Sequence, residues 1–129
     1  MNKREEYMRL ALDEARVAMS IGEVPIGAVI VKDDQIISTG YNGSARGEDN
    51  CCDVGYCWRE AHNIPHGEQY EKCVAVHAED NAISQAGRSA IGSTIYLVGF
   101  ENGKRITAKP CVMCERKIKN AGIAEVVVE

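Results

Sequence analysis

The sequence predicts an α/β fold in which a mixed β-sheet carries helices on both of its faces. A segment from about residue 5 to residue 20 repeats apolar side chains at helical spacing. A predicted β-hairpin follows it, and the chain from Thr94 to Val128 is predicted to be strand, helix, strand. A hairpin pairs its strands antiparallel, whereas a strand–helix–strand unit requires a right-handed crossover between parallel strands. The sheet is therefore expected to be mixed.

The first half of the chain begins with an amphipathic helix that is expected to cover one sheet face. Its apolar residues recur every three or four positions: Met8, Ala11, Leu12, Ala15, Ala18 and Met19. Gly22 is a suitable residue to end this helix. The hairpin strands are predicted over residues 26–31 and 36–42, with a polar turn between them.

The second half begins after an irregular segment, from about residue 44 to residue 72, that is rich in glycine, cysteine and histidine. Long irregular segments in compact domains are usually functional or disordered, and the cysteines and Trp58 favour order here. The later elements follow in sequence: a helix from about Cys73 to Ala86, a strand over 94–98, a polar loop over 99–109, a helix over 111–120 and a strand over 125–128.

Length and composition are those of one globular domain spanning residues 1–129. The net charge of −4 argues against a broad basic face for tRNA or duplex DNA, so nucleic acid is not the expected partner. No apolar run is long enough to span a membrane and the amino-terminal residues lack a signal-peptide core, so a cytoplasmic location is expected. An open sheet edge would favour a homo-oligomer.

The six cysteines of the chain allow two interpretations. They could form three disulfides in a secreted protein, but a chain without a secretion signal is expected to keep reduced thiols that serve metals.

Two short motifs carry the predicted chemistry: His77-Ala78-Glu79 and Pro110-Cys111-Val112-Met113-Cys114. Cys111 and Cys114 are three residues apart, on one face of a helical turn, and a helix starting near Pro110 places both sulfurs at its amino end. The helix dipole favours thiolate there. Two thiolates and the neutral imidazole of His77 make a three-ligand set for zinc, with a fourth position for water.

Glu79 is expected to face that water without binding the metal, to take its proton and later to protonate a leaving amine. Simpler interpretations of the same residues remain open. Cys111 and Cys114 could be a redox pair or half of a structural metal site, His77 a hydrogen-bonded helix histidine, and Glu79 a solvated carboxylate.

The two motifs together resemble the cytidine and deoxycytidylate deaminase superfamily. Other segments are similar to bacterial deoxycytidylate (dCMP) deaminases in particular: Gly40–Ser44, Cys51–Gly55, Ile64–Glu68, His77–Ile83 and Asn120–Ile123. The resemblance implies a three-layer α/β/α fold in which two metal-bearing helices lie side by side on one sheet face. It implies zinc-dependent deamination of a cytosine nucleotide, most simply of dCMP to dUMP plus ammonia.

Further site residues follow from the resemblance alone. It implies that Asn42 contacts the substrate, although Asn42 could equally be a turn residue, and that the backbone beside Ala78 helps to hold the pyrimidine. It also implies a possible second, structural zinc ion. Its ligands would come from Cys51, Cys57 and Cys73, with His66 or Cys52 completing the set because Tyr70 replaces the histidine of the family. Buried thiols are the alternative.

On the predicted helix, Cys73 and His77 share one face, which would make the two metal sites neighbours.

The substrate remains open at this stage. The predicted loop over residues 99–109 is longer than the resemblance implies, and Gly22–Val29 is more similar to tRNA adenosine deaminases and guanine deaminases. A free base, a nucleoside or another aminated heterocycle (cytosine, cytidine or guanine) is therefore the alternative substrate. A different class of protein, a non-catalytic interaction module stabilised by zinc, would use the same cysteines.

Overall fold

The computed structural model describes residues 3–21, 24–44 and 75–128. The helices and strands of this part of the chain are α1 (Lys3–Ser20), β1 (Ile26–Lys32), β2 (Gln35–Tyr41), β3 (Gly43–Ser44), β4 (Ala75–Val76), α2 (Ala78–Ala86), β5 (Thr94–Glu101), β6 (Lys104–Ile106), α3 (Val112–Asn120) and β7 (Glu125–Val127). A 3-10 turn, Gly87–Ala90, follows α2. None of the helices in these ranges is long and apolar enough to cross a membrane.

The main sheet is mixed, as the sequence predicts. β1 lies between β2 and β5 and is antiparallel to both. β6 and β7 share the other edge of β5: β6 pairs antiparallel with its end, and β7 pairs parallel with its beginning, Thr94 opposite Glu125. The parallel pair confirms the predicted strand–helix–strand unit around α3.

The two sheet faces carry separate apolar cores, because successive residues of a strand point to opposite sides. One core packs α2 and α3 on the sheet and contains Ala28, Ile30, Ala78, Ala82, Ala86, Ala90, Ile95, Leu97 and Ile118. The other packs α1 on the opposite face and contains Tyr7, Met8, Ala11, Val29, Val31, Val98 and Val127. The expected three layers, and the side-by-side placement of α2 and α3, are confirmed.

The predicted start of the second helix, at Cys73, is wrong. Ala75 and Val76 form β4, which pairs antiparallel with β3, and His77 follows with extended backbone angles (φ −66°, ψ 151°). The helix begins only at Ala78. Because residues 75–77 are not helical, the predicted shared helix face of Cys73 and His77 does not exist.

The predicted loop over residues 99–109 is also wrong in its first part. β5 continues to Glu101, and β6 returns antiparallel to it after a two-residue turn. Asn102 and Gly103 both have positive φ in that turn (51° and 76°), the backbone combination that an Asn-Gly hairpin turn requires. The predicted end of α1 at Gly22 lies outside the described residues.

The closest approach between β2 and α2 is at Gly40. A Cβ atom there would lie 2.4 Å from the carbonyl oxygen of Ala78 and 2.7 Å from the backbone nitrogen of Ala82. Both obstacles are backbone atoms, which cannot rotate away.

We therefore expect Gly40→Ala to lower the free energy of unfolding by about 2 kcal/mol or more, because α2 must move off β2. Denaturant titration of the purified variant measures this. Gly99→Ala is the matched control, since its added Cβ would meet side-chain atoms rather than backbone, those of Ile106 at 2.9 Å and of Ala108 at 3.5 Å. Equal losses in the two variants would contradict the backbone origin of the effect.

Glu14 of α1 is half-buried against β2, where the Thr39 side chain donates a hydrogen bond to it. Burial raises the pKa of Glu14 above its usual value in spite of that hydrogen bond. The folded state therefore binds this proton more tightly than the unfolded state does. Ionisation of Glu14 therefore destabilises the folded state. This loss of stability is absent below the unfolded-state pKa and grows as the pH rises through the folded-state pKa.

Replacement of Glu14 by Gln is accordingly expected to raise the melting temperature at pH 7 to 8 and to lose this advantage near pH 4. Thermal unfolding of the two proteins across that pH range tests it. A gain that is independent of pH would show that the Glu14 charge is not its cause.

Candidate active site

Two residues of the predicted site stand immediately before helices. His77 is the N-cap residue of α2, and Cys111 is the N-cap residue of α3. The Cys111 sulfur accepts a hydrogen bond from the backbone N–H of Cys114 at 3.4 Å. Two helix amino ends thus meet at one place, and their partial positive charges favour anionic sulfur there.

The structure brings the three predicted metal ligands together. His77 Nδ1 lies 3.3 Å from Cys114 Sγ and 3.6 Å from Cys111 Sγ, and all three ligand atoms lie within 4.8 Å of one another. A tetrahedral zinc ion with bonds of about 2.3 Å to sulfur and about 2.0 Å to nitrogen separates those atoms by roughly 3.5 Å. The side chains present therefore match the spacing that zinc requires.

The charge of the site also fits a cation. Cys114 is fully buried, and burial, then the charges of Glu79 and Cys111, raise the pKa of its thiol far above the usual range. Two thiolates would neutralise a zinc ion and remove this penalty.

Glu79 lies in the first turn of α2 and is buried, with 5% of its surface exposed. It is not one of the three converging ligands. Burial raises the pKa of Glu79, while hydrogen bonds from its own backbone N–H and from Cys114 act in the opposite direction. The carboxyl group thus sits beside the ligand cluster and holds its proton more readily than a solvated glutamate.

Asn42, a predicted substrate contact, is buried at the point where β2 ends. Its Oδ1 accepts a hydrogen bond from the backbone N–H of Ala78 at 2.7 Å. Asn42 therefore satisfies a free N–H at the start of α2, a role that the His77 side chain does not perform. The same bond engages the Ala78 N–H, while the predicted role of the backbone beside Ala78 in holding the pyrimidine stays a prediction.

Two further side chains hold α2 on β2, and sequence reasoning missed both. Ser38 Oγ donates to the carbonyl oxygen of Ala82 at 2.7 Å in a buried position. Asn81 Nδ2 donates to the carbonyl oxygen of Tyr41 at 2.8 Å. The sequence pattern that could have predicted these contacts is a polar residue on the sheet face that packs against the helix.

The predicted second metal site cannot be located. All its candidate ligands lie outside the described residues: Cys51, Cys52, Cys57, His66 and Cys73. It stays a prediction.

A cleft of about 730 Å³ lies beside the β5–β6 hairpin. It is lined by Met19, Val24–Ile26, Gly99–Gly103 and Ile106–Lys109. Lys109 stands two residues before Cys111, and the carbonyl oxygen of Ile26 accepts a hydrogen bond from Asn42 N–H at 3.2 Å. The β5–β6 hairpin forms one wall of this cleft, and none of the candidate site residues described above lines it.

A three-layer α/β/α fold, with a His/Cys/Cys cluster and a buried glutamate at two helix amino ends, defines the class of the cytidine-deaminase-like proteins. The model of the "cytidine and deoxycytidylate deaminase zinc-binding region" family matches residues 1–129. The chain belongs to this family.

The individual relatives that are similar to this chain are named as deaminases of different substrates. The deoxycytidylate deaminase of Schizosaccharomyces pombe is 37% identical over 102 residues, which are 79% of this chain and 29% of that protein. The chain therefore matches less than a third of the length of this relative. The tRNA-specific adenosine deaminase of Aquifex aeolicus is 32% identical over 124 residues, which are 96% of this chain and 64% of that protein.

Among solved structures, the dCMP deaminase of cyanophage S-TIM5 in complex with dCMP and dUMP aligns with a TM-score of 0.65. It is 26% identical, and the alignment covers 95% of this chain and 76% of that one.

Proposed function

We propose that the protein is a zinc-dependent hydrolase that removes the amino group of a cytosine nucleotide, most simply dCMP plus water to dUMP plus ammonia. The observation that carries the proposal is the convergence of His77, Cys111 and Cys114 beside a buried glutamate that is not one of the ligands. A structural zinc site would need a fourth protein ligand, whereas a catalytic one leaves a position open.

In this proposal, His77 Nδ1 and the sulfurs of Cys111 and Cys114 hold one zinc ion. When bound, zinc supplies a Lewis acid that lowers the pKa of a water molecule. Glu79 would accept a proton from water as the water oxygen bonds to C4, and would deliver that proton to the ring nitrogen of the substrate. It would then take the remaining proton from the new hydroxyl at C4 and pass it to the amino group, so that the C4–N bond breaks, ammonia leaves and the C4 carbonyl forms. The raised pKa of Glu79 suits a group that must both accept and donate a proton near neutral pH.

The substrate assignment has its own support. The two dCMP deaminases described above are similar to this chain over much of its length, and a cleft of about 730 Å³ suits a small molecule. With Oδ1 engaged by Ala78, Asn42 would offer its amide N–H groups to the substrate. The net charge of −4 disfavours a nucleic-acid substrate.

A second candidate is a deaminase of a free base, a nucleoside or another aminated heterocycle. The β5–β6 hairpin favours it, because this hairpin lines the cleft where the resemblance leads us to expect a short connection. The similarity to a tRNA-specific adenosine deaminase over 96% of the chain also keeps purines in consideration.

Glu79→Gln is expected to keep one zinc ion per chain and to lower turnover by about 10³-fold or more, because the amide cannot carry the proton. Metal analysis and ammonia release measure the two quantities. Glu115→Gln, the same change at an exposed position of α3, is the control and should leave both unchanged. Loss of zinc together with activity would instead make Glu79 a ligand.

The substrate is tested by a panel of cytosine, cytidine, deoxycytidine, CMP, dCMP, adenine and guanine, given to the zinc-loaded protein. We expect ammonia release to be fastest from dCMP, with kcat/KM falling when the phosphate is absent. Preference for a base or nucleoside would support the second candidate. Zinc uptake with no ammonia from any compound would favour a non-catalytic zinc-stabilised module.

A further inference from the structure

We propose that the ion pair between Asp80 and Lys117 is a positioning device that sets the register of α2 against α3. In this role it would hold His77 opposite the two cysteines before a metal ion binds. The inference rests on the proposed zinc site and adds two residues that neither motif identifies.

The geometry of the pair repeats that of the ligands. Lys117 Nζ lies 2.5 Å from Asp80 Oδ2. Asp80 is three residues after His77 on the α2 side, and Lys117 is three residues after Cys114 on α3. Both pairs are separated by 37 positions in the chain. Cys114 and Lys117 lie on one face of α3, and Asp80 follows the N-cap residue His77 by the same interval, so the ion pair lies about one turn farther along both helices than the ligand contact.

Two other polar side-chain contacts of α2 have a different direction, whereas the hydrogen bond between Glu79 and Cys114 crosses to α3 as the ion pair does. Ser38 and Asn81 connect α2 to β2, whereas the Asp80–Lys117 pair connects α2 to α3. Metal binding depends on the position of α2 relative to α3, because one ligand precedes α2 and two belong to the start of α3. A sliding movement of one helix by a fraction of a turn would separate His77 Nδ1 from the sulfurs.

The pair is partly exposed, with 40% of the Lys117 side chain and 28% of the Asp80 side chain accessible. Exposed ion pairs contribute little to global stability. Groups just outside a metal site can nevertheless change metal affinity severalfold by orienting the ligands. The expected effect is therefore on zinc affinity rather than on the melting temperature.

If the ion pair acted only through its charges, the two single variants would change zinc affinity in opposite directions. Removal of the Lys117 charge would then strengthen zinc binding, and removal of the Asp80 charge would weaken it, because the bound ion is a cation. A positioning role weakens binding in both cases. The two explanations therefore differ in the sign of one measurement.

The test is zinc affinity by chelator competition for the wild-type chain, Asp80→Ala, Lys117→Met and the double variant. We expect each single variant to bind zinc about threefold to tenfold more weakly. The double variant should be no weaker than the weaker single variant, because either change alone already breaks the contact. The cobalt-substituted single variants should also show a visible absorption spectrum altered from that of the wild type.

Two further variants serve as controls. Lys117→Arg preserves a cation that reaches Asp80 and should restore zinc affinity to within about twofold of wild type. Lys119→Met removes the same charge from an exposed position of the same helix and should also stay within about twofold of wild type.

Unchanged or tighter zinc binding by Lys117→Met, with normal wild-type affinity, would overturn this inference and leave the proposed function intact. A wild-type protein that takes up no zinc would overturn both.

Discussion

The contact of α2 with β2 is the constraint on which the candidate site depends. The helix backbone lies against Gly40, where no side chain separates the two elements. Asn42 accepts the hydrogen bond of Ala78 N–H two residues farther along. Since the β3–β4 pair joins the same two segments, His77 is held between a strand and a helix start. The backbone of His77 is thus fixed on both sides by contacts that tolerate little movement.

This arrangement determines the electrostatics of the cluster. α2 and α3 each begin at a candidate ligand, so the partial positive charges of both helix amino ends lie at the cluster. Burial opposes this by raising the pKa values of Cys114 and Glu79. The balance favours a bound cation, because a positive charge lets the buried Cys114 and the half-buried Cys111 ionise next to a carboxyl group. The fold and the charge of the site therefore indicate the same kind of ligand.

The sequence predicts the parts of this structure that depend on local signals. The spacing of Cys111 and Cys114 after Pro110 defines a helix start, and α3 begins at the next residue after Cys111. The Asn102-Gly103 turn also has a local signal, and its hairpin could have been predicted from it.

The start of α2 has no such signal. Ala75 and Val76 fit a helix as well as a strand, and their pairing with Gly43 and Ser44, some 30 positions earlier, decides between the two. The hydrogen bond from Ser38 to α2 is likewise fixed by packing that the sequence does not reveal.

The candidate site and the cleft are formed by different elements of this chain. The candidate ligands and Glu79 lie at the starts of α2 and α3, whereas one wall of the cleft is the β5–β6 hairpin. The hairpin is attached to α1 on the opposite sheet face, through the Arg105–Glu5 ion pair and Arg16 stacked over Phe100. A change in the hairpin can therefore alter the cleft without moving a ligand. Since the chain is similar both to a deoxycytidylate deaminase and to a tRNA-specific adenosine deaminase, family membership alone leaves the substrate to be measured.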